Sequence, residues 1–485
     1  MRSYPRSETP SAAASKRMRL PSRFRVDPAS FPVYYGWVVL AAGGLGMLFT
    51  APGQTIGVSA FNDYLIDALG LTRTAISTAY MIGTTLSAVF IARAGRSLDR
   101  RGSRVIGTIA AASLGVSVLG MTQVDRAAAA VAVVVPDPAV AAFVAITAAF
   151  FLLRFFGQGV LMLSSQNMVT KWFDRRRGLV TALLGLFVTF GFSSVPIVFD
   201  ALIQRFSWRG AWAVIGATLI GFAGVIALLF RDNPKACGLQ PDGPAPPPAD
   251  EAHAHPPRTA RWRRLMPARL ANLKPVGATT GADRTLAEAR RTLIYWVLVS
   301  VLGLSSAIGT AFTFHVVSIF ETAGFSRAAA VGIFMPAAVV SIAMKLVTSW
   351  ASTYVRIRVF PVLHAVLLIV LLVAIAVLRS PGAIALVLIG HGGMQGMLTV
   401  NANLAFPRLF GLKYLGSIRG ATMKWGVVGS AVGPYIYSAF FDISGDYALI
   451  SLLLIVPVLV ILALGVYDYL RERRRDAVAG SFTAG

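Results

Sequence analysis

The sequence predicts an all-α membrane protein: twelve transmembrane helices in two pseudo-symmetric six-helix bundles around a central cavity. Three observations carry that expectation. Composition is the first: 56% of the 485 residues are hydrophobic, only 14% are charged, and mean hydropathy is +0.67, far outside the range of soluble globular domains. The second is length: apolar runs of roughly 20 residues, enough to cross a hydrocarbon core, recur twelve times. The third is where the charge sits. With the N-terminus assigned to the cytoplasm, 36 of the 45 Lys and Arg fall on cytoplasmic segments, 6 on the opposite side and 3 inside spans. The positive-inside rule then puts both termini in the cytoplasm and the chain, multi-pass, in the lipid bilayer of the inner (plasma) membrane. The net charge of +24 follows the membrane instead of pooling on a soluble face, so no nucleic-acid partner is expected.

Taken in order, residues 1–33 are polar and basic, with Arg2, Arg6, Lys16, Arg17, Arg19, Arg23 and Arg25. They lack an apolar core followed by a small-residue cleavage site, and read as a disordered cytoplasmic leader. The first bundle, 34–230, carries apolar runs near 37–58, 74–92, 105–123, 140–163, 179–203 and 211–230. Its first span is interrupted by Ala51-Pro52-Gly53-Gln54-Thr55. Proline removes a backbone donor, and the freed carbonyl with Gln54 and Thr55 makes a polar spot at which backbone can line a cavity; a kink filled by neighbouring helices is the other reading.

Residues 231–291 form a Pro- and Arg-rich cytoplasmic linker in which Arg261, Trp262, Arg263 and Arg264 can touch anionic headgroups. His253 and His255 lie there without a third ligand, so no metal site is expected. The second bundle, 292–470, has runs near 293–314, 329–350, 359–378, 383–406, 421–441 and 447–467, and the tail 471–485 closes on Arg471, Arg473, Arg474 and Arg475. Cys237 is the only cysteine, which excludes an intrachain disulfide framework and a thiolate metal cluster. No GxxxxGK[ST] loop and no nucleophile–base–orienter set is present, which removes an ATP-driven pump and an enzyme, and no cofactor is expected.

Motifs narrow the fold further. Between the second and third spans lies Gly95-Arg-Ser-Leu-Asp99-Arg100-Arg-Gly102-Ser-Arg104. Glycines permit a tight turn, and an aspartate among arginines can sit on a helix N-terminus. This GxxxDRxGxR loop resembles the signature of the major facilitator superfamily, and Gly95, Asp99, Arg100 and Gly102 are the expected conformational gate. The fourth span, Arg154-Phe-Phe-Gly157-Gln158-Gly159, is similar to that superfamily's fourth-helix motif. The turn KWFDRRRG at 171–178 resembles the oxalate/formate antiporter and monocarboxylate transporter branch. Trp172-Phe173 to Arg177-Gly178 is echoed by Leu409-Phe410 to Arg419-Gly420, which supports two parallel six-helix repeats. The turn after the eighth span has Ser349 and Thr353 where its counterpart would carry Gly and Asp, so the second half lacks the residues of such a latch.

Arg154, Lys345 and Lys424 stand inside apolar runs, at about 2.5–3.5 kcal/mol each on insertion scales. None of the 21 Asp and Glu lies at mid-span depth: Asp63, Asp67, Asp200, Glu321, Asp442 and Asp468 are at helix ends. Three intramembrane cations without a protein counter-ion attract an anionic ligand. The resemblance adds roles. Lys345 stands before Ser349-Trp350 where the oxalate/formate branch has an arginine before Gly-Trp. Lys424, in the glycine-rich stretch Gly416 to Pro434, is close to that branch's eleventh-helix lysine, and the two basic residues there hold the substrate's carboxylates. Snorkelling to the interface competes for both lysines, and contact with backbone carbonyls or glutamines competes for Arg154. His391, in Gly390-His-Gly-Gly-Met-Gln395-Gly396, is the deepest of the histidines in the spans and reads first as a satisfied polar histidine, with a proton site as its alternative. Tyr80, Phe155, Phe156, Phe312, Phe314, Trp425 and Tyr435 are candidates to shape the pocket.

The substrate-binding set is therefore Lys345, Lys424, Arg154, Gln54 and His391. The expected activity is secondary transport of a small organic anion, a mono- or dicarboxylate, by a monomer working as proton-linked symporter or anion exchanger. Efflux of an amphipathic compound, and a sensor that binds without transporting, are the alternatives.

Overall fold

The computed structural model describes residues 28–174, 176–243 and 283–482. The leader up to residue 27 and most of the linker, including His253, His255 and Arg261 to Arg264, lie outside the described residues. Among the described residues, ten helices are long and apolar enough to cross a membrane. One of them, Gly178–Leu229, is two spans broken at Ser207, whose φ is 65°. Leu415–Ser444, more polar for its Arg419, Lys424 and Asp442, completes the set of twelve.

In chain order these are α1 (Gly36–Leu48), α2 (73–101) and α3 (103–121), which meet at Gly102, α4 (Pro138–Trp172), and α5 (177–206) and α6 (208–229). The second half has α7 (Leu293–Thr322), α8 (Arg327–Ala351), α9 (Val359–Ala376), α10 (Pro381–Phe410), α11 (Leu415–Ser444) and α12 (Ala448–Phe482). Local chemistry sets the starts. Thr72 accepts from the Ala75 N–H ahead of α2, and Asp137 accepts from Ala139 and Val140 ahead of Pro138 in α4. Ser326 accepts from Ala329 at α8, each side chain satisfying a donor the helix itself leaves free.

Each half closes its own hydrophobic cluster. The first gathers buried residues from Tyr35 to Phe230 around Trp172, Trp212 and Phe150; the second runs from Ala289 to Val458. The exchange between them is small: Phe314 of α7 is buried in the first cluster, and Ile56 packs against the second. The echoed turns have equivalent anchors. Asp242, at the near end of the linker, accepts from the backbone N–H of Asp174 (3.0 Å) and Arg176 (3.2 Å) where α5 begins. Asp283, at its far end, accepts from Leu412 (3.0 Å) and Lys413 (3.1 Å) where α11 begins.

The turn between α2 and α3 differs in one respect from the sequence expectation. The carboxylate at the start of α3 belongs to Asp232, from beyond α6, which accepts from the Arg104 N–H at 3.0 Å. Gly102 has φ +84°, and a Cβ there would lie 2.4–2.5 Å from the Asp232 carboxylate, so both backbone conformation and space require glycine. Asp99 and Arg100 are exposed, and Gly95 faces Leu163 of α4.

Candidate functional site

Polar contacts that join the halves gather at the end of the bundle opposite the first residues of α1 and the last of α12. Arg327, at the start of α8, pairs with Asp200 of α5 at 2.6 Å. It also donates to the Ala60 carbonyl at 2.5 Å and approaches Asp63 at 3.9 Å, which itself holds Arg73 at 2.9 Å. Asn62 donates to the Phe314 carbonyl at 2.7 Å, Thr74 to Asp442 at 2.5 Å, and the Ser77 and Ser438 hydroxyls meet at 2.5 Å. This clasp was not foreseen. A signal for it existed: Arg73 and Arg327 are among the few basic residues on the cation-poor side, and each such exception to the charge asymmetry asks for a local reason.

Below the clasp lies a cavity of about 420 Å³ between the halves, lined from α5, α7, α8 and α10 and from the break in α1. Gln54, Lys345 and His391 line it. Helix 1 breaks as its Pro-Gly pair predicts: Ala51–Gly53 is a 3-10 turn, Gln54 is extended (φ −95°, ψ 154°), and a short helix resumes at Thr55. Gln54 donates to Thr50 Oγ1 at 3.1 Å, and Thr55 meets the Tyr80 hydroxyl at 2.7 Å.

Lys345 reaches the cavity because α8 and α10 run unusually close. A Cβ on Gly392 would meet the Ala337 carbonyl at 2.6 Å, and one on Gly396 the Ser341 carbonyl at 2.6 Å. These contacts also set the levels. His391 lies against Phe334 and next to Gly392 at the level of Ala337, and a Cβ on Gly396 would also lie 3.2 Å from the Lys345 backbone nitrogen. Lys345 is thus eight residues, about 12 Å of helix, from the level of His391. Lys345 is half-buried, forms no ion pair among the described residues, and is the only charged residue in the lining. His391 is 5% exposed, flanked by Phe312 at 4.8 Å and Phe334 at 6.0 Å, and its Nδ1 has no partner among the described residues. Of the other two described histidines, His315 has its Nε2 3.0 Å from the Pro434 carbonyl and a buried Nδ1 likewise without a partner among the described residues, and His364 lies 3.0 Å from Ser305 and 3.1 Å from Asn401.

Arg154 lies elsewhere. It is 2% exposed within the first half, donates to the Gly53 carbonyl at 3.2 Å, and holds its guanidinium 5.2 Å from the Tyr80 ring. Gly53 and Gly157 nearly touch, since a Cβ on either would fall 2.9 Å from the Cα of the other. The arginine therefore serves the carbonyl left free by the helix break and does not line the cavity. Lys424 is exposed and also outside the lining. Ser438 and Asp442, through their bonds to α2, mark the side of α11 that looks at the first half. Lys424 precedes Ser438 by four turns less about 40° of regular helix, with Pro434 standing between them. Of the aromatic candidates, Phe312 flanks His391 and Tyr80 lies under Arg154.

A two-lobed bundle clasped at one end, with a polar cavity between the lobes, is the geometry of an alternating-access carrier. The sequence profile of the Major Facilitator Superfamily matches residues 43–434. The chain belongs to the Major Facilitator Superfamily. This facilitator is accordingly a multi-pass membrane transporter and not an enzyme. It is similar in fold to a bacterial homologue of the human lysosomal transporter Spinster in an inward-facing, occupied conformation. The two are 13% identical with a TM-score of 0.62, and the match covers 91% of this chain and 98% of that one. It is likewise similar to the nucleoside transporter NupG, at 13% identity and a TM-score of 0.61, over 89% of this chain and 99% of that one. No curated protein matches the sequence.

Proposed function

We propose that this facilitator carries a small organic anion, a mono- or dicarboxylate, across the inner membrane by alternating access. The observation that carries the reading is the cavity's charge: one cation, Lys345, and no acidic residue in the lining. An ammonium held at a low-dielectric surface without a carboxylate of its own is stabilised by an anionic ligand. The resemblance to the oxalate/formate branch supports the same role for Lys345. Lys424, exposed on the side of α11 facing the gap, is the second charge, placed to draw an anion inward before it settles. Gln54 and His391 complete the set as hydrogen-bonding groups in the lining.

With both termini in the cytoplasm, the arrangement is the cytoplasm-open one, and the Arg327–Asp200 clasp must part to release or admit ligand on the other side. Gly95, Asp99, Arg100 and Gly102 lie on the opposite face, the expected site of the reciprocal closure. Coupling to a proton would use His391, whose buried Nδ1 is open to a partner; anion exchange would need no protein proton. Counterflow of radiolabelled carboxylates in proteoliposomes tests the reading. Accelerated uptake into vesicles preloaded with unlabelled acid is expected. Uptake indifferent to every preloaded acid, with an amphipathic cation exchanged instead, would overturn it.

A further inference from the structure

One of the contacts that join the halves at the clasped end is built on a titratable group. The Ser77 hydroxyl of α2 meets Ser438 of α11 at 2.5 Å, and Ser438 Oγ lies 3.1 Å from His315 Nε2 on α7. All three side chains are buried. Nε2 also lies 3.0 Å from the Pro434 carbonyl, which can only accept, so this nitrogen donates. Nδ1 is buried with no partner among the described residues. A second proton, placed on Nδ1, would be a charged donor with nothing to receive it, a costly group wherever water is excluded.

The cover over this part of α7 comes from the first half. Phe314 is buried in the first hydrophobic cluster, and its carbonyl accepts from Asn62 at 2.7 Å. Parting the halves here removes Ser77, Asn62 and that cluster together, and water can then solvate the ring. The charged groups stand a turn or more away: Arg73 precedes Ser77 by one turn of α2 and holds Asp63, Asp442 follows Ser438 by one turn of α11, and Glu321 lies further along α7. Arg327 is occupied by Asp200. Tyr447, 5.6 Å from the ring, donates to Ser318, and Tyr437 stacks on Tyr447. None of these bonds the imidazole among the described residues. His391, with a similar Nδ1, lines the cavity and takes no part in this contact.

We propose that His315 is a proton-binding site exposed only when the clasped end opens, so that a proton taken up there holds that end open. The clasped state gives the second proton no partner, and the parted state gives it water. The clasp is therefore favoured above the range in which a hydrated imidazole titrates, about pH 6.5, and is lost as pH falls through it. This holds whichever ligand is carried.

Gln123→Cys and Arg379→Cys place spin labels at exposed positions past the ends of α3 and α9, at the clasped end of each half. With Cys237→Ser, the distance between the labels in lipid nanodiscs reads the separation of the halves. The ratio of parted to clasped protein is expected to rise as pH falls from 8 to 5, by up to about tenfold per unit below about 6.5. His315→Gln, which can still donate to the Pro434 carbonyl but does not titrate, should leave the ratio flat over that range. Any opening is then confined to about pH 4, where the carboxylates of the clasp take up protons. A flat ratio in the parent, a step that survives His315→Gln, or one abolished by His391→Gln overturns the proposal. A second readout leaves the ring unchanged: exchange of the imidazole C2 hydrogen, followed by mass spectrometry, should be several-fold faster for His315 in Arg327→Ala than in the parent. Equal rates would mean that opening the clasp does not reach the ring, and would overturn it as well.

Discussion

The fourth helix of each half leaves α-helical register at the equivalent place, and the two use the irregularity in opposite ways. In α4 the π-helical segment Arg154–Leu161 turns a charged side chain inward, against the broken α1 of its own half. In α10 the segment Leu388–Gly392 presents His391 to the cavity, and Gly392 and Gly396 let α8 close in so that Lys345 stands alongside. One half spends its cation on holding itself together. The other keeps its cation free. π-turns are enriched at functional sites, and here the same backbone device encloses an arginine within one half and turns a histidine towards the cavity in the other. On the proposed reading, an intramembrane charge serves a ligand where it faces the cavity, as Lys345 does, and not where its own half encloses it, as with Arg154.

Substitutions can break or sharpen that contrast. Lys345→Ala should have the largest effect, lowering counterflow of the transported acid by about 100-fold, or about 2.7 kcal/mol, with the solubilised protein still folded. Lys345→Arg should retain part of it, because a guanidinium also binds carboxylate though in a different geometry. Arg154→Gln should act on stability: it leaves the Gly53 carbonyl short of its donor, a loss of about 1–3 kcal/mol, read as a lower melting temperature with KM within about threefold of the parent. A larger change in KM than in melting temperature would place Arg154 with the ligand after all.

Arg327→Ala should come next. Removing the Asp200 partner weakens the clasp, and a shift of about 1 kcal/mol towards the opposite-facing state would appear as faster labelling of a cysteine introduced on the far-side approach to the cavity. Lys424→Ala is expected to be the mildest, raising KM by a few fold and more at low ionic strength, because an exposed charge acts mainly through screened attraction. Equal losses for Lys424→Ala and Lys345→Ala would mean that both ammonium groups grip the acid together.

The spans were legible because hydrocarbon thickness imposes a length that composition reports directly, and the break in α1 because Pro52 and Gly53 permit little else. Lys345 was legible for the same reason, as a charge out of place. Where Arg154 points was not legible. One residue of register turns a side chain by about 100°, and the π-turn that changes register in α4 has no signature in Arg154-Phe-Phe-Gly157 itself. The capping role of Asp232 was hidden because it lies 128 residues from Arg104 and only packing of α6 beside α3 brings it there.

The most direct measurement is equilibrium titration of the transported acid into purified Lys345→Gln and Arg154→Gln proteins, with melting temperature recorded for both. If the second half carries the ligand charge, Lys345→Gln melts like the parent and gives no binding heat, whereas Arg154→Gln melts earlier and binds with near-parental affinity. Undiminished binding by Lys345→Gln would contradict the account.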